Sequence, residues 1–191
     1  MQSSKEFSAK AFLKNRRPEE FSNSTIVEIG ALDRVQLEHY LATLNIRSQE
    51  LEFETFAKKL CEKIICPNLL EQTGPVAGGD GKTDTQTFPV STHNQLLWHE
   101  GINDKSHNER WAFAVSTQKD WKVKCKKDVK KIIETARGYV KTFCITNQSI
   151  KADQRSKLED ELSKQYSIDV RILDLSWILD QIYKHQLEFL A

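Results

Sequence analysis

The sequence predicts an α/β domain, a mostly parallel sheet with helices packed on its faces. Two features carry that expectation. In the second half, segments of helical periodicity alternate with short apolar runs rich in β-favouring residues. WAFAVST (Trp111 to Thr117) is a nearly continuous apolar run bounded by charge, as a central strand buried on both faces requires. The composition agrees: 191 residues, 39% hydrophobic and 29% charged, suffice for one complete core.

The elements follow in order. The first 45 or so residues are of mixed polarity, and NRRPEEFSNS reads as a turn-rich stretch. A short helix is expected from Asp33 to Leu44, with Val35, Leu37, Leu41 and Leu44 among its apolar positions. Phe53, Phe56, Ala57, Leu60, Ile64 and Ile65 then recur at helical spacing and form one apolar face. Pro67 cannot continue that helix and stops it near Cys66. EQTGPVAGGDGKTD must be a loop, TDTQTFPV alternates as a short strand, and Ser91 to Arg110 is polar and irregular, as in a hairpin excursion. After WAFAVST, Trp121 to Arg137 returns to helical spacing, with Cys125, Val129, Ile132, Ile133 and Ala136 on one side and Gly138 as C-cap. YVKTFCITN is a strand, Ala152 to Tyr166 a helix, IDVRILD a strand and Ser176 to His185 a last helix.

Several functions are disfavoured at once. No run reaches the roughly 18 apolar residues of a membrane helix. The start, MQSSKEFSAKAFLKNRRPEEF, lacks the apolar stretch of a secretory signal, so the expected location is cytoplasmic and the expected partners include no membrane. Cys61, Cys66, Cys125 and Cys144 form no CxxC pair and read as reduced core residues. His39, His93, His99, His107 and His185 show no ligand spacing. The net charge is only +1, so any case for nucleic acid rests on where the charges sit.

Chemistry is expected near the glycine-rich loop. GDGKT invites comparison with the phosphate-binding GxxxxGK[ST] loop, but Val76 stands where the leading glycine belongs, and the residues that follow read as a strand rather than a helix. Two readings of Asp84 remain open. It can be a metal ligand at the start of a strand, with Lys119, just past the buried strand, orienting water or offsetting charge on a phosphate. It can equally be a turn aspartate, and Lys119 a solvated lysine.

Three stretches together resemble a known group: FETFAKKLCEKIICPNLLEQTGPVAGGDGKTDTQTFPV, WAFAVSTQKDWKVKCKKDVKKI and FCITNQSIKADQRSKLEDELSKQYSIDVRILDLSWILD. The group comprises the PD-(D/E)xK restriction-endonuclease-like domains, close to the Mrr-like branch, at the N-terminus of large bacterial antiviral STAND-type NTPases and tetratricopeptide-repeat proteins. The likeness spans about residues 15–185. It implies a restriction-endonuclease-like core with a central mixed sheet flanked by helices (αβββαβ, then αβα). The domain would occupy residues 49–191, with 1–48 as an N-terminal extension.

By resemblance, the metal-binding aspartate falls on Asp84 in GGDGKTD, the catalytic lysine on Lys119 in STQKDW, and a supporting acid on Glu54 in FETF. Glu54 can also be an exposed carboxylate paired with Lys58. Asp80 is expected to shape the loop. The implied activity is endonucleolytic cleavage of double-stranded DNA with Mg2+ or Mn2+. It would be carried out by a homo-oligomer joined to a sensor, NTPase or repeat region in anti-phage defence. One departure stands out: Thr117 occupies the position where the motif has Asp or Glu. A hydroxyl is the weaker ligand, and the competing expectation is a lapsed nuclease fold kept for nucleic-acid contact or assembly. The run from Lys119 through Lys122, Lys124, Lys126, Lys127, Lys130 and Lys131, with Trp121, is either a solvated face or a phosphate-contacting one, Lys122, Lys124, Lys126 and Lys127 being the expected contacts.

Overall fold

The computed structural model describes residues 32–70, 83–89 and 104–191. The glycine loop with Asp80, most of the expected excursion from Ser91 to Arg110, and the first 31 residues lie outside the described set.

The described residues form an α/β fold on a four-stranded mixed sheet. Its strands are β1 (Thr85–Gln86), β2 (Trp111–Ser116), β3 (Lys141–Thr146) and β4 (Asp169–Leu173), in spatial order β1-β2-β3-β4. β2, β3 and β4 run parallel, with Phe113 beside Phe143 and Phe143 beside Arg171. β1 is antiparallel to β2, Thr85 facing Phe113.

β1 is shorter than TDTQTFPV led us to expect, for a visible reason. The Thr87 hydroxyl accepts the Trp111 amide at 2.9 Å, displacing a backbone ladder bond. Beyond it the chain turns to a different partner: Thr87 bridges Leu69, and the Phe88 amide donates to the Asn68 carbonyl at 3.0 Å. Pro89 has no N–H with which to continue a ladder.

Helices cover both faces. On one side lie α1 (Arg34–Ala42), α2 (Glu50–Ile64) and α5 (Leu175–Lys184). Their apolar residues meet Trp111, Phe113, Val115, Phe143 and Ile145, and the rings of Phe113 and Phe143 stack 4.8 Å apart. On the other side, α3 (Trp121–Glu134) and α4 (Ala152–Tyr166) are the crossovers of two β-α-β units. Cys125, Val129, Leu158 and Leu162 pack there on Cys144, Val170 and Ile172. β2 is buried from Trp111 to Val115, as its apolar run requires.

Two boundaries differ from expectation. α3 ends at Glu134, three residues before Arg137, because Ala136 takes a left-handed conformation (φ 52°). Ala136 is therefore exposed rather than part of the apolar stripe, and Gly138 (φ 72°) completes the turn. The residues of segment 1–48 that are described enter the main core: Leu37, Leu41 and Leu44 are buried with Phe53 and Ile178. Arg34 also pairs with Asp180 of α5 at 2.7 Å.

Candidate active site at the carboxyl end of the central strand

Parallel α/β sheets leave a crevice at the carboxyl ends of their strands, where the chain leaves one layer for another. Beyond Val115 and Ser116 that crevice is a cavity of about 290 Å³. Asn45, Glu50, Phe53 and Glu54 line it from the α1–α2 side, Thr117 and Gln118 follow the strand, and Lys124 comes from α3.

Asp84 adjoins Val115, one of the lining residues, from the edge of the sheet and is not itself part of the lining. Its amide donates to the Phe113 carbonyl at 3.0 Å, and its Oδ2 accepts the Val115 amide at 2.5 Å. The side chain thus completes the β1–β2 ladder, while Oδ1 has no hydrogen bond among the described residues. Burial raises the Asp84 carboxyl above the ordinary range. The Val115 amide partly offsets this, Asp128 adds to it and Lys124 opposes it.

Glu54 sits half-buried on α2, on the cavity side of the helix whose other positions Phe53, Phe56 and Ala57 enter the core. Burial raises its carboxyl too, Asp84 raises it further and Lys124 lowers it. The i+4 partner considered for Glu54, Lys58, lies 3.9 Å from Glu62 instead. Two carboxyls far apart in sequence are thereby brought within electrostatic reach of each other, both under the field of one lysine.

That lysine is Lys124. Its Nζ lies 2.8 Å from Asp128 Oδ1, and its side chain is 25% exposed. Lys119 is placed elsewhere: it is exposed on the turn between β2 and α3, outside the cavity lining, with no hydrogen bond or ion pair among the described residues. Thr117 is buried just past β2, and its carbonyl accepts Asn45 Nδ2 at 2.7 Å and Gln148 Nε2 at 3.2 Å.

The basic face of α3 is partly neutralised. Lys126 pairs with Glu161 at 2.7 Å, and Lys130 lies 3.9 Å from Glu134. Lys122 lies over the Trp121 ring, and Lys127 is exposed. Lys124 belongs to the cavity rather than to this outer face.

Two residues of the cluster carried no signal that sequence reading used. Asp128 is legible in retrospect as the i+4 partner of a lysine in the first two turns of a helix. Asn45 is not legible at all, since only folding brings it next to Thr117. Its Nδ2 is engaged there, leaving Oδ1 buried and unpartnered among the described residues.

Other features are structural. All four cysteines are free and buried. Burial pushes the Cys66 thiol up to about 12, and Cys125 and Cys144 touch at 3.0 Å between α3 and β3. A larger cavity of about 620 Å³ between α1 and α2 is lined mainly by apolar side chains such as Leu37, Leu41, Leu44 and Phe56, with Arg47, Glu52 and Lys59 also in its lining. Among the described residues, no three His, Cys, Asp or Glu side chains are grouped so as to hold a metal, and no helix is long and apolar enough to cross a membrane. No protein-family model, curated protein or solved structure matches the chain.

Proposed function

We propose that the chain is a metal-dependent endonuclease domain of the restriction-endonuclease-like class, acting on double-stranded DNA. The observation that carries this reading is that Asp84, Glu54 and a lysine lie within electrostatic reach of one another at the carboxyl end of the central strand. Both carboxyls are raised by burial, and Glu54 is raised further by Asp84. Such a pair is costly when ionised alone and is relieved by a cation, and carboxylate oxygens suit Mg2+ or Mn2+. Asp84 Oδ1 and the Glu54 carboxylate would hold the ion. When bound, it supplies charge neutralisation and lowers the pKa of a coordinated water.

The residues of the chain would then divide the work. Asp84, fixed by the Val115 amide, gives one oxygen a set position. Glu54 can take a proton from water as the water oxygen bonds to phosphorus and the bond to the leaving ester oxygen breaks. The leaving oxygen takes up a proton from solvent. Lys122, in the first turn of α3, and Lys127, midway along it, are exposed and would meet phosphates flanking the site without reading bases. Following the resemblance, we place the domain in a cytoplasmic homo-oligomer that works with a sensor, NTPase or repeat region in defence against phage.

The reading is tested by nicking of supercoiled plasmid with Mg2+ and with Mn2+. Wild type should cut, chelator should stop it, and Asp84→Ala should lower the rate by about 100-fold or more. A second reading, a lapsed nuclease fold that only binds, is favoured by Thr117 in the acidic position and by the lack of a three-ligand group among the described residues. It predicts salt-dependent DNA binding with no cleavage at any metal concentration.

A further inference from the structure

We infer that the cationic group of this site is Lys124, on the helix after the central strand, and that Asp128 is the residue that positions it. This rests on the nuclease reading above.

Lys124 lines the cavity together with Glu54, and Lys119 does not. The reason lies in helix geometry. Asp120 caps α3, its Oδ1 accepting the Val123 amide at 3.3 Å. Side chains on a helix lean back toward its N-terminus. From one turn inside α3, the stem of Lys124 therefore runs back toward the end of β2, which Glu54 flanks from α2 and Asp84 joins through the Val115 amide. Lys124 and Ser116 also line the small cleft between α3 and the sheet in which Asp128 lies, so the ammonium stands where helix and strand diverge.

Helix stability does not account for the pair. A cation near a helix N-terminus opposes the macrodipole, and lysine four residues before an acid is the poorer order for an ion pair. Asp128 is only 8% exposed, and its carboxylate is 2.8 Å from the ammonium. The arrangement costs the helix something and sets an ammonium, ion-paired with Asp128, in the cavity that Glu54 lines. Such a charge can orient the attacking water or offset negative charge developing on the phosphate oxygens, the part that the resemblance assigns to Lys119.

The test compares plasmid nicking by the full chain with Mn2+, alongside melting temperature and metal-free DNA affinity for each variant. Lys124→Met should lower the turnover rate by about 100-fold or more, with DNA affinity close to wild type and a lower melting temperature, since Asp128 loses its partner. Lys119→Ala should cost less than tenfold. Should the Met variant fail to fold, Lys124→Arg, which keeps the charge but moves it, should still lose at least tenfold. Asp128→Asn should lower kcat with KM unchanged, and Asp128→Glu should recover part of the loss. A merely structural Asp128 would move the melting temperature and leave the kcat of the folded enzyme alone, which would overturn its positioning role. Loss with Lys119→Ala but not with Lys124→Met overturns the assignment and leaves the nuclease reading standing. So does a Lys124→Met defect confined to DNA affinity. A wild type as inactive as Asp84→Ala overturns both.

Discussion

Asp84 has two oxygens with different tasks: one replaces a backbone acceptor for Val115, and the other is unpaired among the described residues. Burial raises both Asp84 and Glu54, so each folded-state pKa lies above its unfolded value, about 3.9 and 4.3 respectively. For carboxyls shifted in this direction, the stability they add is fully present below the unfolded pKa. It is lost as pH rises through the raised folded value. Asp84→Asn keeps an acceptor for the Val115 amide and removes the charge. In chelator it should melt above wild type near pH 8, with the gap closing toward pH 4. Adding Mn2+ at pH 8 should raise the melting temperature of wild type and leave the Asn variant nearly unmoved. A constant gap across pH would contradict the burial-driven shifts.

At the scale of elements, the end of α3 carries a local cost. Ala136 sits at φ 52°, where a β-carbon is disfavoured by about 1–2 kcal/mol, and it is exposed, so it packs on nothing that a smaller residue would lose. Ala136→Gly should therefore stabilise the protein by up to about 1 kcal/mol, since glycine gives back some entropy. A thermal melt should show a rise of about 2–4 °C.

The same helix shows what a sequence can reveal and what it cannot. Its existence, its start at Trp121 and its buried stripe Cys125, Val129 and Ile132 follow from periodicity, as do β2 to β4 and α4. Its end does not, because the stop is set by a backbone turn in an alanine that looks helical. β1 was half legible: the alternation was real, yet Thr87 and Asn68 divert the chain through tertiary hydrogen bonds that no local pattern announces. Motif resemblance marks Asp84 and Glu54, and folding brings them within electrostatic reach of each other. In the sequence Lys124 is one lysine of a basic run, because the cavity it faces exists only after α2, β2 and α3 have met.

At the scale of the whole molecule, the division into residues 1–48 and 49–191 cuts through packed structure. Leu37, Leu41 and Leu44 bury against the same core as Phe53 and Ile178, and the Tyr183 hydroxyl donates to the Leu32 carbonyl at 2.6 Å. A chain beginning at residue 49 would expose that apolar face of α5 and leave Thr117 without its Asn45 partner. Truncation should lower the melting temperature and increase binding of a hydrophobic dye. A truncated chain as stable as the whole would show that α1 is a dispensable attachment.

The hydrogen bond from Val115 to Asp84 has one more consequence, for the order of events. β2, β3 and β4 are joined by ladders of six and five residue pairs, whereas the acidic edge is held by a strand of two residues and by the bond from Val115 to Asp84. The scaffold can thus be complete while the acidic edge is still undocked. The Val115 amide proton is shielded only once that edge has closed, so its exchange with solvent keeps time for the assembly of the site rather than of the fold.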